Sequence, residues 1–139
     1  MDNKALPSNL PDLQRQELET IVQKLIATGL ADAIFLYGSF ARGQFRLRDG
    51  NLDYPPDKVV PPKYTKKKSD FDVLVLTETP EAAQQLNVDT QDFFTSIRTP
   101  LDLKFLDFKA LNTLHMNCED FIKTVLKKRI VLYDNGNSY

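Results

Sequence analysis

Residues 69–76 read SDFDVLVL, and this stretch decides the fold. From Phe71 to Leu76 its side chains are almost all apolar, which predicts a strand buried inside a sheet. Asp70 and Asp72 stand at the entrance of that strand. Because strand side chains alternate between the two faces of a sheet, both carboxylates point to the same side, about 6.6 Å apart at the backbone.

The two neighbouring carboxylates have a chemical consequence. Their repulsion raises the pKa of one of them unless a cation neutralises the pair. A hard divalent ion such as Mg²⁺, held by a few carboxylates together with substrate phosphates, is a natural partner. The alternative is that Asp70 and Asp72 only mark the exposed entry of the strand.

A second strand ends in a glycine and a serine. Residues 33–37 read AIFLY and are followed directly by Gly38 and Ser39. The glycine lets the chain bend sharply and lets backbone N–H groups approach an anion, and the serine hydroxyl adds a donor. An ordinary turn is the alternative. Gly43 completes the spacing of a P-loop, but Gln44-Phe45 stands where that loop needs lysine and Ser or Thr, so this class is excluded.

A third strand is predicted over residues 101–106, LDLKFL, and it contains an acid. Burying Asp102 without a partner is expensive, so its presence in an apolar strand needs an explanation. A functional role is one explanation. The other is an ion pair with Lys104, which lies two positions further on and therefore on the same face.

The remaining elements follow from hydrophobic periodicity and helix caps. The pattern predicts a first helix over 12–28 and a second from Thr79-Pro80 to about Ile97, with an interruption near 87–89. Two further helices are predicted over 108–114, capped by Asp107, and over 118–128, capped by Asn117. A last strand is predicted over 130–133. This order indicates the α/β (α+β) class, with a small mixed β-sheet and helices packed on it.

A segment of different composition separates the first two strands. Residues 43–68 hold four of the eight prolines and seven basic residues against three acidic ones. We expect a long, basic, exposed insertion over about 43–68. The 139 residues otherwise predict a single domain, 1–139.

Composition excludes several kinds of protein. With 18 basic and 19 acidic residues, the chain does not bind nucleic acid through bulk charge, and we expect no direct nucleic-acid binding. One cysteine, Cys118, and one histidine, His115, exclude an internal disulfide, a multi-cysteine zinc site and any site with two histidines. No apolar run could span a membrane, and the N-terminus lacks a signal-like apolar segment, so we expect a cytoplasmic protein without a membrane partner.

Together, three motifs are more specific than any of them alone. YGSFARG (37–43), SDFDVLVL (69–76) and LDLKFLD (101–107) closely resemble the minimal nucleotidyltransferases, small domains of the polymerase β-like superfamily. The resemblance covers the chain from about Ala33 to Tyr133 and implies the polymerase β-like nucleotidyltransferase core. The chain departs from the family in one respect, because the 30 residues 40–69 between serine and first aspartate are more than is common there.

The resemblance implies an enzyme that uses ATP and two Mg²⁺ ions. Asp102 would also position or deprotonate the attacking hydroxyl, and Arg42 would either touch phosphate or pair with a nearby acid. The implied catalytic and metal-binding residues are Asp70, Asp72 and Asp102, and the implied nucleotide-binding residues are Gly38, Ser39 and Arg42.

The long insertion resembles a subset of these domains that occurs with HEPN domains in toxin–antitoxin systems. That likeness implies an antitoxin that transfers AMP from ATP to a tyrosine of a HEPN toxin. The sequence leaves two alternatives open. The domain could silence a HEPN partner by binding alone, or it could transfer a nucleotide to a small molecule, as the enzymes that modify aminoglycosides do.

Overall fold

A computed structural model describes residues 6–43, 45, 69–117 and 129–135. Its elements are α1 (Asp12–Ala27), β1 (Ala33–Tyr37), α2 (Gly38–Arg42), β2 (Phe71–Thr77), α3 (Pro80–Asp89), β3 (Leu101–Asp107), α4 (Phe108–Asn117) and β4 (Ile130–Asp134). Apart from Gly43 and Phe45, the predicted insertion lies outside the described residues, as does the predicted helix over 118–128. Within the described ranges, no helix combines the length and apolar character needed to cross a bilayer.

The strands form one mixed sheet in the order β3-β2-β1-β4. β1 is antiparallel to both of its neighbours, whereas β2 and β3 are parallel. Two parallel neighbours need a crossover connection, and α3 provides it. The mixed sheet with helices packed on it confirms the fold class predicted from the sequence.

One face of the sheet carries the larger core, which includes α1 and α3. Burial of each large apolar side chain contributes roughly 1.5–3 kcal/mol to stability. The fully buried members are Leu18, Ile21, Val22 and Leu25 of α1, Ile34 and Leu36 of β1, Phe40 of α2, Phe71, Val73 and Val75 of β2, and Leu86 of α3. The helical periodicity predicts this stripe on α1 together with Ile26, which is only partly buried and packs against the core.

The opposite face of the sheet carries a smaller cluster. Its buried members come from β1 and β2, and partly buried side chains from β3 and α4 pack against them. The buried members are Ala33, Phe35, Tyr37, Leu74 and Leu76, and the partly buried ones are Leu106, Phe108 and Leu111. Because Asp72 is two residues before Leu74, it shares this face, at the end of the sheet where β1 finishes and β2 begins.

The second predicted helix is shorter than expected, because α3 ends at Asp89 and not near Ile97. The hydroxyl of Thr90 donates to the carbonyl of Leu86 (2.6 Å). Beyond it the backbone bonds span three residues, as from Phe93 N–H to the Thr90 carbonyl. The prediction of a helix past residue 89 was therefore wrong, because turn bonds replace the helical pattern there.

Helix α4 begins where it was predicted and extends further. The N–H of Ala110 donates to Oδ2 of Asp107 (3.3 Å), which confirms Asp107 as the capping residue. The helix continues to Asn117, three residues past its predicted end at Leu114. This cap connects the end of β3 directly to α4, so the orientation of one follows from the other.

A buried acid on α1 anchors the segment that leads into β3. Oε2 of Glu17 accepts from the backbone N–H groups of Arg98 (2.6 Å) and Thr99 (3.4 Å), and Oε1 accepts from the Thr99 hydroxyl (2.6 Å). Gln14 also donates to that hydroxyl. These bonds connect residues more than 80 positions apart and hold the start of β3, which carries Asp102, against α1.

We expect Glu17→Ala to lower the free energy of unfolding by about 2–3 kcal/mol, because the buried Thr99 hydroxyl and two nearby N–H groups lose their acceptor. Urea denaturation measures the change. Glu19→Ala removes an exposed carboxylate from the same helix and should alter stability by about 0.5 kcal/mol or less. Equal effects of the two substitutions would contradict an anchoring role for Glu17.

Candidate functional site

Three polar side chains form a row across the sheet. In the pairing of β1 with β2, Tyr37 lies opposite Asp72, and in the pairing of β2 with β3, Asp72 lies beside Asp102. Neighbouring strands are about 4.8 Å apart, and paired residues point to the same face. The structure therefore sets Asp72 and Asp102 side by side, although 29 residues separate them in the chain.

The third predicted acid stands just outside this row. Asp70 is exposed and lies one residue before β2. The N–H of the next residue, Phe71, donates to the Pro100 carbonyl (2.8 Å), which ties the chain beside Asp70 to the residue that precedes β3. The charge of Asp70 contributes to the raised pKa of Asp72. All three predicted acids thus lie at one end of the sheet.

The glycine–serine bend meets the acids directly at Gly38. This residue has a φ of +76°, in the left-handed region that favours glycine. A Cβ built on it would overlap Oδ2 of Asp72 and lie 3.1 Å from its Cγ. Two motifs that are separated in the chain are therefore in van der Waals contact, and glycine is the residue that fits between them.

Ser39 and Arg42 both lie on the short helix α2, which begins at Gly38. Ser39 is half-buried near its start, and Arg42 is its exposed last residue. Arg42 forms no ion pair with another described residue, so the pairing expected with a nearby acid is not seen there. Its charge nevertheless reaches the site, because it lowers the pKa of Asp72. A contact of either residue with phosphate stays a prediction.

The electrostatics of the site centre on Asp72. Burial, together with repulsion from Asp102 and Asp70, raises the pKa of its carboxyl from 3.8 to about 6. The positive charges of Lys104 and Arg42 act in the opposite direction but do not cancel it. The site therefore has an excess of negative charge, which a cation would relieve.

Lys104 is the cation nearest to this excess charge. Its Nζ lies 2.9 Å from Oδ2 of Asp102, and both side chains are about half-exposed. The hydrogen bond to Asp102 raises the pKa of Lys104. The ion pair that the sequence offered as an alternative explanation of Asp102 is thus present in the structure.

Tyr37 is a site residue that the sequence analysis missed. It is buried, as an apolar strand predicts, yet its hydroxyl makes no hydrogen bond of acceptable geometry within the described part of the chain. Burial raises the pKa of this hydroxyl, and the nearby ammonium of Lys104 partly offsets the rise. The available signal was the position of Tyr37, directly before Gly38.

The donor set fits a hard divalent cation, since three carboxylates supply the oxygen ligands that Mg²⁺ prefers. The excess negative charge around Asp72 points the same way. Across the described ranges, however, no three acidic, histidine or cysteine side chains are grouped so that they could hold a metal ion as they stand. The backbone brings the acids together, whereas the carboxylate of Asp102 is directed to Lys104.

No protein-family model matches the sequence, and no curated protein matches it. Among solved structures, the chain is similar to a proposed nucleotidyltransferase from Sulfolobus solfataricus, with 16% identity, 96% of this chain and 97% of that chain covered, and a TM-score of 0.39. This similarity is too distant to assign a function.

We expect Gly38→Ala to lower the free energy of unfolding by about 2–4 kcal/mol, because alanine adds both backbone strain and an overlap with the Asp72 carboxylate. Gly29→Ala is the matched control. Gly29 has a φ of +73° but nothing within 4 Å of the position that an alanine methyl would take, so only the strain, about 1 kcal/mol, should remain. Equal losses in denaturant titrations would show that Gly38 and Asp72 are not in tight contact.

We expect Asp72→Asn to stabilise the protein by about 1–2 kcal/mol at neutral pH, after allowance for solvent screening. The folded-state pKa of about 6 lies above the ordinary 3.8. The folded chain therefore binds the extra proton between these values, and wild-type stability falls as pH rises through this window. Denaturation from about pH 4 to pH 8 measures the difference between the two proteins.

The gain from Asp72→Asn should be largest above pH 6 and should shrink below pH 4, where both states of the wild type carry the proton. Asp92→Asn, which neutralises an exposed acid after α3, controls for the general loss of one negative charge. A gain in stability that is independent of pH, or that Asp92→Asn reproduces, would show that the folded protein does not destabilise the charged carboxylate of Asp72.

Proposed function

We propose that this protein is a metal-dependent nucleotidyltransferase that transfers AMP from ATP to a protein hydroxyl. The observation that carries the proposal is the strand register, which sets Asp72 against Gly38 on one side and beside Asp102 on the other. Three motifs from distant parts of the chain therefore meet at one end of the sheet. The resemblance of these motifs to the minimal nucleotidyltransferases supports the same conclusion.

The reaction can be written with its atoms balanced. The acceptor oxygen forms a bond to the α-phosphorus of ATP, the bond from that phosphorus to the bridging oxygen of pyrophosphate breaks, and the acceptor hydroxyl loses its proton. Divalent cations held by Asp70, Asp72 and Asp102 would stabilise the attacking and the leaving oxygens. No histidine or cysteine is needed for this chemistry.

The side chains differ in their suitability for each part of the reaction. Asp72 is the more enclosed acid, in contact with Gly38, and is suited to hold a cation in a fixed place. Asp102 is about half-exposed and can meet an incoming hydroxyl, orient it and accept its proton. Ser39 follows Gly38 at the start of α2, and in this proposal its hydroxyl donates to a phosphate oxygen.

For the acceptor, we propose a tyrosine of a HEPN toxin, which would make this protein its antitoxin. The basis is the resemblance of the long segment before Asp70 to the subset of nucleotidyltransferases that accompany HEPN domains. A binding-only antitoxin is the second candidate, and one observation favours it. Within the described residues the acidic side chains are not grouped as a ready-made metal site.

Incubation of the full chain with α-labelled ATP, Mg²⁺ and a HEPN protein tests the proposal. We expect label on the HEPN protein, dependent on Mg²⁺, and a loss of roughly 100-fold or more in Asp70→Asn, Asp72→Asn and Asp102→Asn, because each removes a charge that stabilises the transition state through a metal. Asp92→Asn should retain full activity, since Asp92 lies after α3 and outside the row of acids.

The same experiment separates the alternatives. If the toxin is neutralised equally well by an Asp70→Asn/Asp72→Asn double variant, the protein acts by binding and the transferase proposal is wrong. Label on an aminoglycoside in place of the HEPN protein would retain the transferase chemistry and overturn the proposed acceptor. Label transfer that is unaffected by all three acidic substitutions would place the chemistry elsewhere.

A further inference from the structure

Lys104 and Asp102 form an ion pair, although a metal cation would be attracted by the carboxylate of Asp102 and repelled by the ammonium of Lys104. Nζ of Lys104 lies 2.9 Å from Oδ2 of Asp102, on the face of the sheet that carries Asp72. The same ammonium lies 6.0 Å from the centre of the Tyr37 ring. One positive charge is therefore already present at the end of the sheet where a divalent cation would bind.

This ammonium and a divalent cation need the same oxygen atoms. The strand register brings Asp72 and Asp102 side by side, yet the side chains within the described ranges do not form a metal-holding group. The contact with Lys104 occupies one carboxylate oxygen, Oδ2 of Asp102. A cation at this site must displace the ammonium or share the carboxylate with it.

We propose that Lys104 is an internal counter-ion that competes with the divalent cation for Asp102 and releases it when a nucleoside triphosphate offers another anionic partner. The inference rests on the proposed nucleotidyl transfer and deepens it. Metal binding and triphosphate binding are then coupled through one side chain. Metal alone binds against the competition of Lys104, whereas metal with triphosphate binds after the competition has been relieved.

The coupling follows from the difference between the two states. In one state Lys104 is paired with Asp102, and in the other it is released. A ligand shifts the equilibrium between them only as far as it interacts differently with the two. The triphosphate favours the released state because it attracts the ammonium of Lys104. The ion pair is about half-exposed and screened by water, so its removal should have a modest effect on metal affinity. Lys104 is accordingly a positioning residue in this scheme, because it acts through Asp102.

Titration of Mn²⁺ into the full chain, followed by the electron spin resonance signal of free Mn²⁺, tests the proposal. For Lys104→Met we expect affinity for Mn²⁺ alone to rise roughly threefold to tenfold, because both a competitor and a nearby positive charge are lost. With a non-hydrolysable ATP analogue present, and after subtraction of the Mn²⁺ that the analogue binds without protein, the gain in Mn²⁺ affinity that the analogue produces should be smaller in this variant than in the wild type.

Two further variants serve as controls. Lys104→Arg keeps the positive charge and should bind Mn²⁺ alone as weakly as the wild type. Lys109→Met removes an exposed lysine beyond the far end of β3 and should leave both affinities unchanged. Circular dichroism confirms that each variant is folded, and Lys104→Gln repeats the test if the methionine variant is not.

The outcomes distinguish this inference from the proposed function. If the wild type binds Mn²⁺ with the analogue and Lys104→Met binds Mn²⁺ alone no more tightly than the wild type, the competition is wrong while the transferase proposal stands. If no variant binds Mn²⁺ even with the analogue, both are wrong. If Lys104→Met gains affinity for the metal but the effect of the analogue is unchanged, release by triphosphate is overturned.

Discussion

The backbone of Gly38 lies so close to the carboxylate of Asp72 that no side chain fits between them. This contact depends on the antiparallel register of β1 and β2, which sets the last residue of one strand against the second residue of the other. A shift by one residue would turn Asp72 into the apolar core and Val73 out of it. The apolar side chains of β2, which point alternately to the two faces of the sheet, therefore stabilise this register. The register in turn places Asp72 against Gly38.

The same register creates an electrostatic cost. Asp72 lies partly buried beside Asp102 and close to Asp70, and burial with this repulsion raises its pKa to about 6. A fold selected only for stability would not place acids in this way, because like charges on paired positions are destabilising. The two apolar faces of the sheet supply the stability that tolerates the arrangement, and strain of this kind is common at functional sites.

Two side chains other than the predicted site residues complete the arrangement of β3. Glu17, on α1, accepts three hydrogen bonds from residues 98 and 99 and so determines how the chain enters β3. Lys104, within β3, donates to the carboxylate of Asp102. Glu17 anchors the backbone at the start of β3, and Lys104 contacts the side chain of Asp102. The placement of Asp102 relative to Asp72 is therefore a property of three elements that are distant in sequence.

The sequence by itself determined the four strands, the first helix and the motif residues, because hydrophobic periodicity and turn chemistry act over a few residues. It also placed α3 correctly at its start, where the hydroxyl of Thr79 accepts from Ala82, but not at its end, where the Thr90 hydroxyl bonds back to a carbonyl of the last turn. Only the tertiary structure decided the strand order, the contact of Gly38 with Asp72, and the burial of the Tyr37 hydroxyl beside Lys104. These depend on pairing between residues far apart in the chain, and no local pattern encodes which strands become neighbours.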